Sequence, residues 1–234
     1  MADIDFRTTS LEELARSVRA KEVSARELTE VALARIEALN PTYNAFVAVD
    51  GERALAEAAT VDERIATGHD PGPLAGIPLG VKDLQNAVGY VTTHGSALHA
   101  DDPPATVDDP FVARMRAAGC VVVGKTNTPE FGWMGNTTNA IFGASRNPFD
   151  VSRGPGGSSG GAAAALAAGM VPLATGSDGG GSIRIPSACC GLSGMKPSLG
   201  RVPGGGANPP GWPGLSTNGP MAHRIADVAR ALDV

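Results

Sequence analysis

Hydroxyl groups set inside glycine turns can serve as nucleophiles, and this chain carries two such islands. The first reads Arg153-Gly-Pro-Gly-Gly-Ser-Ser-Gly-Gly161 and the second Gly176-Ser-Asp-Gly-Gly-Gly-Ser-Ile-Arg-Ile-Pro186, with an alanine-rich stretch between them. Two turns that merely pack closely against a helix need glycine alone. That reading leaves unexplained the hydroxyls inside both turns, and the Asp178, Arg184 and Pro186 that frame the second. A serine hydroxyl is a weak nucleophile until a neighbouring base takes its proton. His69, His94, His99 and His223 all lie outside the islands, so a nucleophile here would need a different base.

Two shorter motifs match and fail on context. Gly156-Gly-Ser-Ser-Gly160 fits the nucleophile elbow G-x-S-x-G, which must follow a hydrophobic strand and be followed by its acid and histidine. Asn147-Pro-Phe-Asp-Val-Ser-Arg-Gly-Pro155 is no such strand, and no motif surrounds His223. Gly119-Cys-Val-Val-Val-Gly-Lys-Thr126 fits the phosphate-binding P-loop letter for letter. A phosphate cradle needs a flexible loop after a strand, whereas these four variable positions themselves read as a buried strand.

The elements able to hold the islands read in order. Ser10 with Glu13 and Ser24 with Glu27 fit capping boxes, each opening a helix. The second helix is predicted to run to about Leu39, with Pro41 stopping it. Phe46 to Val49 reads as a strand, Glu52 to Ala66 as a helix and Ile77 to Val81 as a short strand ending in Lys82-Asp83. Pro110 to Ala118 reads as a helix, and Cys120 to Val123 as a continuous apolar strand of the fully buried type. Alternating strands and helices predict an α/β architecture, a largely parallel or mixed sheet flanked by helices, as one domain over residues 1–234. At the far end, Ile225 to Val234 opens an amphipathic helix that stops abruptly, the mark expected of a fragment.

Composition narrows the partners. A 42% hydrophobic, 18% charged chain of 234 residues is globular and can bury a sizeable core. Net charge of −5 without a basic run argues against nucleic acid. With 31 Gly and 18 Pro, much of the backbone must go into tight turns. Cys120, Cys189 and Cys190 make neither a disulfide framework nor a zinc pair. No secretion signal opens the chain, and its longest apolar run, Ala162 to Ala168, is too short to span a bilayer. A cytoplasmic protein without membrane contact is the expectation.

The run from Gly156 to Arg201 resembles the defining segment of the amidase signature family almost throughout. Upstream, Gly76-Ile-Pro-Leu-Gly-Val-Lys-Asp83, Gly124-Lys-Thr-Asn127 and the stretch from Phe142-Gly143 to Asn147-Pro148 resemble further family positions. The resemblance covers nearly the whole chain, but only the N-terminal half of a typical family domain. It implies a fold of the amidase-signature type, incomplete at the C-terminus, and a Ser–cis-Ser–Lys triad. Lys82 matches the base, Ser158 the bridging serine preceded by a cis peptide, and Ser182 the nucleophile. It implies no metal or organic cofactor. Position 179 is glycine where the family often has a larger residue such as Thr or Ile, which should loosen the turn.

Each role has a physical basis. Lysine is a base only when neutral, and burial at a strand end lowers its pKa. Ser158 would relay the Ser182 proton to Lys82 and later towards the leaving amine. Successive N–H groups of Gly179, Gly180, Gly181 and Ser182 can converge on one point, as an oxyanion hole requires. Asp178 and Arg184 would hold the loop. The expected activity is hydrolysis of a small-molecule carboxylic amide to carboxylate and ammonia or amine through a serine acyl-enzyme. The alternatives are the glutaminase component of a tRNA-dependent amidotransferase and a truncated, non-catalytic amidase fragment. A homodimer is left open.

Overall fold

The computed structural model describes residues 4–204, 212 and 214–234. The chain opens with helices α1 (Leu11–Arg19) and α2 (Ala25–Tyr43), and both capping boxes form as predicted. Helix α2 runs past the predicted stop and takes Pro41 inside its last turn. Pro41 forfeits its own N–H bond and its ring crowds the Glu37 carbonyl one turn back, so the helix ends within two residues of it. Asn40 then closes the helix: its carbonyl accepts from Asn44 N at 2.8 Å, and its Oδ1 accepts from Ala45 N at 2.8 Å and Phe46 N at 2.7 Å. Asn44 itself turns left-handed at φ 47°.

There follow β1 (Phe46–Val49), α3 (Gly51–Ala66), β2 (Pro78–Lys82), α4 (Pro110–Ala117) and β3 (Val121–Thr126). A two-stranded ribbon, β4 (Thr138–Asn139) and β5 (Gly143–Ala144), precedes α5 (Gly160–Ala167) and β6 (Leu173–Asp178). Then come α6 (Arg184–Cys189), β7 (Ser193–Gly194), β8 (Thr217–Ala222) and α7 (Ile225–Leu232). Six strands form one mixed sheet in the order β1-β3-β2-β6-β8-β7. Its centre is parallel, β3 with β2 and β2 with β6, while β1, β8 and β7 join antiparallel. The architecture is therefore α/β with a mixed sheet and flanking helices.

Every residue of β2 and β3 is buried, as expected of central parallel strands covered on both faces. Gly119–Thr126 is thus a turn and a core strand, not a phosphate loop. Register pairs Lys82 with Thr126 and brings β6 alongside β2 through Leu79–Leu173 and Gly80–Ala174. Both the lysine and the second glycine island therefore leave the sheet at the C-terminal ends of adjacent parallel strands, where open α/β sheets hold their ligands.

Between the islands α5 is buried almost throughout, and its first turn presses on the backbone of other elements. A β-carbon on Gly161 would stand 2.2 Å from Asn127 N and 2.6 Å from Ala45 O. Backbone cannot step aside as a side chain can. Gly161→Ala is expected to cost about 1–3 kcal/mol by overpacking, and hence to lower the thermal midpoint by roughly 3–10 °C in a circular dichroism melt. An unchanged midpoint would refute the close approach. Among the described residues, no helix is long and apolar enough to cross a membrane.

Candidate active site

Lys82 ends β2 with a fully buried side chain. Its Nζ lies 2.7 Å from Ser158 Oγ, 2.9 Å from Ser159 Oγ and 3.0 Å from Ser177 Oγ. A neutral amine has two donors and a lone pair, and these three hydroxyls match that set. Burial pulls the Lys82 pKa down to about 7, and the Asp178 carboxylate opposes the shift without cancelling it. The strand end is itself fixed: Lys82 N donates to Thr175 Oγ1 at 2.9 Å, and that hydroxyl donates to Gln85 Oε1.

The first island is stapled by a residue no motif singled out. Thr137 Oγ1 donates to Gly156 O at 2.9 Å and accepts from Gly160 N at 3.1 Å, closing the turn around Ser158. The Gly157–Ser158 peptide is cis, the form the resemblance implies. Ser159 N donates to Ser182 O at 3.1 Å, which joins the two islands backbone to backbone.

The second island is organised by Asp178. Its carboxylate accepts from Gly181 N at 2.7 Å, Ile183 N at 3.2 Å, and Arg184 Nε and Nη2 at 2.9 and 3.0 Å. Burial alone would raise the Asp178 pKa, but these donors outweigh it and hold the group at about 2. Asp178 and Arg184 thus hold the turn. The Gly181 N–H is thereby directed at Asp178 rather than at the cavity. The N–H groups of Gly179, Gly180 and Ser182 make no hydrogen bond among the described residues.

Ser158, Ser177, Gly179 and Ser182 line one cavity of about 720 Å³. Lys82 and Ser158 are in direct contact, whereas the Ser182 hydroxyl makes no hydrogen bond among the described residues and faces this space. His94 and His99 line the same cavity, where His94 stacks near Phe131 and His99 Nδ1 pairs with Asp102 Oδ2 at 2.8 Å. His223 is turned away and bonds Leu166 O at 2.8 Å. Imidazole therefore sits beside the site without touching the serines, and amine is the base within reach. Among the described residues, no cluster of three or more His, Cys, Asp or Glu could hold a metal ion.

Several contributors escaped the sequence reading. Ser159 was visible as the second serine of its island, and Ser177 as the residue before Asp178, but neither spacing foretold contact with Lys82. Behind the site, Lys125 Nζ pairs with Asp83 Oδ1 at 3.0 Å, both side chains at most 1% exposed.

The amidase family model matches residues 27–234. A protein of Mycobacterium tuberculosis named as the amidase AmiB2 is 49% identical over 222 residues, which are 94% of this chain and 46% of that protein. A glutamyl-tRNA(Gln) amidotransferase chain of Thiobacillus denitrificans is 48% identical over 225 residues, 96% of this chain and 46% of that one. Among solved structures, a bacterial aryl acylamidase of the amidase signature family superposes with a TM-score of 0.91 at 39% identity, over 97% of this chain and 47% of its own. The chain spans about half the length of the curated relatives it matches.

Proposed function

The chain belongs to the amidase signature family, and on that premise we propose that it carries the nucleophile and proton relay of an amide hydrolase. The observation behind this reading is the buried Lys82 amine, held at 2.7 Å from Ser158 Oγ beside the cavity that Ser182 faces. Neutral Lys82 takes the Ser158 proton as Ser158 takes that of Ser182, and Ser182 Oγ bonds to the amide carbon. The carbonyl π electrons move to oxygen, where the N–H groups of Gly179, Gly180 and Ser182, without hydrogen bonds among the described residues, would receive the oxyanion. When the tetrahedral carbon collapses, the C–N bond breaks and the proton returns through Ser158 to the leaving nitrogen. Water then repeats the sequence on the acyl-serine, freeing the carboxylate and restoring Ser182.

A fluorophosphonate probe tests the role assignment, because it traps an activated serine without needing the natural substrate. It is expected to label Ser182, and Ser182→Ala is expected to abolish the label, both read by peptide mass spectrometry. Label on Ser158 instead, or none on the wild type, would overturn the reading.

A second reading rests on the 48% identity with an amidotransferase chain. The same serine chemistry would then release ammonia from glutamine for partner chains. Co-purification with two partner chains, and glutamine turnover only in their presence, would favour it. Turnover by the isolated chain would exclude it.

A further inference from the structure

Only 4% of the chain is aromatic, and it has two tryptophans. Both Trp133 and Trp212 line the cavity that Ser182 faces, and Phe131 lines it with them. The two indole rings stand 5.1 Å apart between centroids at an interplanar angle of 60°, forming a tilted corner. Such a corner offers one ring face and one ring edge to a third ring, the geometry aromatic groups prefer. Trp212 is seated by a missing side chain: a β-carbon on Gly179 would stand 2.4 Å from its Cε3. Gly179 also offers its N–H in the turn before Ser182, so the indole lies directly against the reacting end of the cavity. Trp133 is 68% exposed and Phe131 42%, so both keep apolar surface open beside the cavity they line.

Resting on the amide-hydrolase reading, we propose that this corner is a specificity subsite, and that the cavity selects amides bearing a planar aromatic group, which lies against Trp133 and Trp212. Gly179 is then required twice, once for the donor turn and once to leave room for the indole.

Both tryptophans of the chain are in the corner, so intrinsic fluorescence reports on it without turnover. The Ser182→Ala variant of the chain, which cannot be acylated there, is titrated with phenylacetamide and with propionamide. Phenylacetamide is expected to give a saturable fluorescence change with a Kd at least about tenfold below that of propionamide. Adding Trp133→Ala, an exposed change that should not disturb folding, is expected to narrow the ratio to under about threefold; Trp212→Ala should do the same. Equal affinities, no saturable change with phenylacetamide, or a ratio unmoved by both tryptophan substitutions would each overturn the proposal. Failure of the hydrolase reading is separate, since it is read by fluorophosphonate label at Ser182 and not by ligand preference.

Discussion

Lys82→Ala is expected to slow fluorophosphonate labelling of Ser182 by about 10²–10⁴-fold, the usual range for loss of a positioned general base. The pH profile separates this role from a merely structural one. In the wild type the labelling rate should rise about tenfold per pH unit and level off above an apparent pKa of about 7, where the Lys82 amine becomes neutral. The alanine variant should lack that inflection. Lys82→Arg should not rescue it, because guanidinium stays protonated and cannot act as base. A wild-type profile flat between pH 5 and 9 would defeat the assignment of Lys82 as base. The folding linkage points the same way. With a native pKa of about 7, below its ordinary value of 10.5, Lys82 binds fewer protons folded than unfolded. Its penalty on stability is therefore complete below about pH 7 and fades only as pH rises towards 10.5. On the proposed reading, the role of base accounts for a group that opposes folding at neutral pH and faces three hydroxyls.

How legible the molecule was depended on the range of the forces involved. Helix starts rest on contacts three residues apart, and Ser10–Glu13 and Ser24–Glu27 formed as read. The apolar run at Val121–Val123 reads as a buried strand, and it forms one, paired parallel with β2 and antiparallel with β1. Strands β6 and β8 were not read, because Leu173–Asp178 and Thr217–Ala222 carry Gly, Pro, Asn and Ser in place of a β pattern. They are strands because they pair with each other along six residue pairs, a tertiary fact that propensity does not contain. The site divides likewise. Lys82, Ser158 and Ser182 came from a long composite motif, whereas Ser159 and Ser177 meet Lys82 only through the crossing of two turns, and Thr137 reaches the first turn from outside both. The bonding of Gly181 was hidden for a related reason. Three consecutive glycines suggest three free donors, and the carboxylate three residues upstream claims one of them.

The largest stability effect is expected behind the site. Asp83→Ala should lower stability by about 3–5 kcal/mol, the range for removing one partner of a buried ion pair. Lys125 Nζ is 0% exposed, with Asp83 Oδ1 at 3.0 Å and, among the described residues, further acceptors only in Thr92 Oγ1 at 2.8 Å and Val91 O at 3.3 Å. Burial pulls Lys125 below its ordinary pKa and the Asp83 carboxylate opposes that pull, so loss of the carboxylate leaves the amine to its dry surroundings. Asp83 also accepts from Thr93 N at 3.3 Å and from the Thr93 hydroxyl, and these donors would be orphaned too. Replacing both partners with apolar residues removes the stranded charge. Asp83→Leu combined with Lys125→Met should therefore be more stable than Asp83→Ala alone, with a coupling of at least about 1 kcal/mol in a double-mutant cycle. Urea midpoints at constant m-value measure it. Because Asp83 directly follows Lys82 and precedes the cavity-lining Leu84 and Gln85, the single variant should also slow labelling of Ser182, and the double variant should restore part of the rate. If Asp83→Ala unfolds at the wild-type midpoint, the pair carries no such burden, and the lysine strand is anchored by its backbone ladder alone.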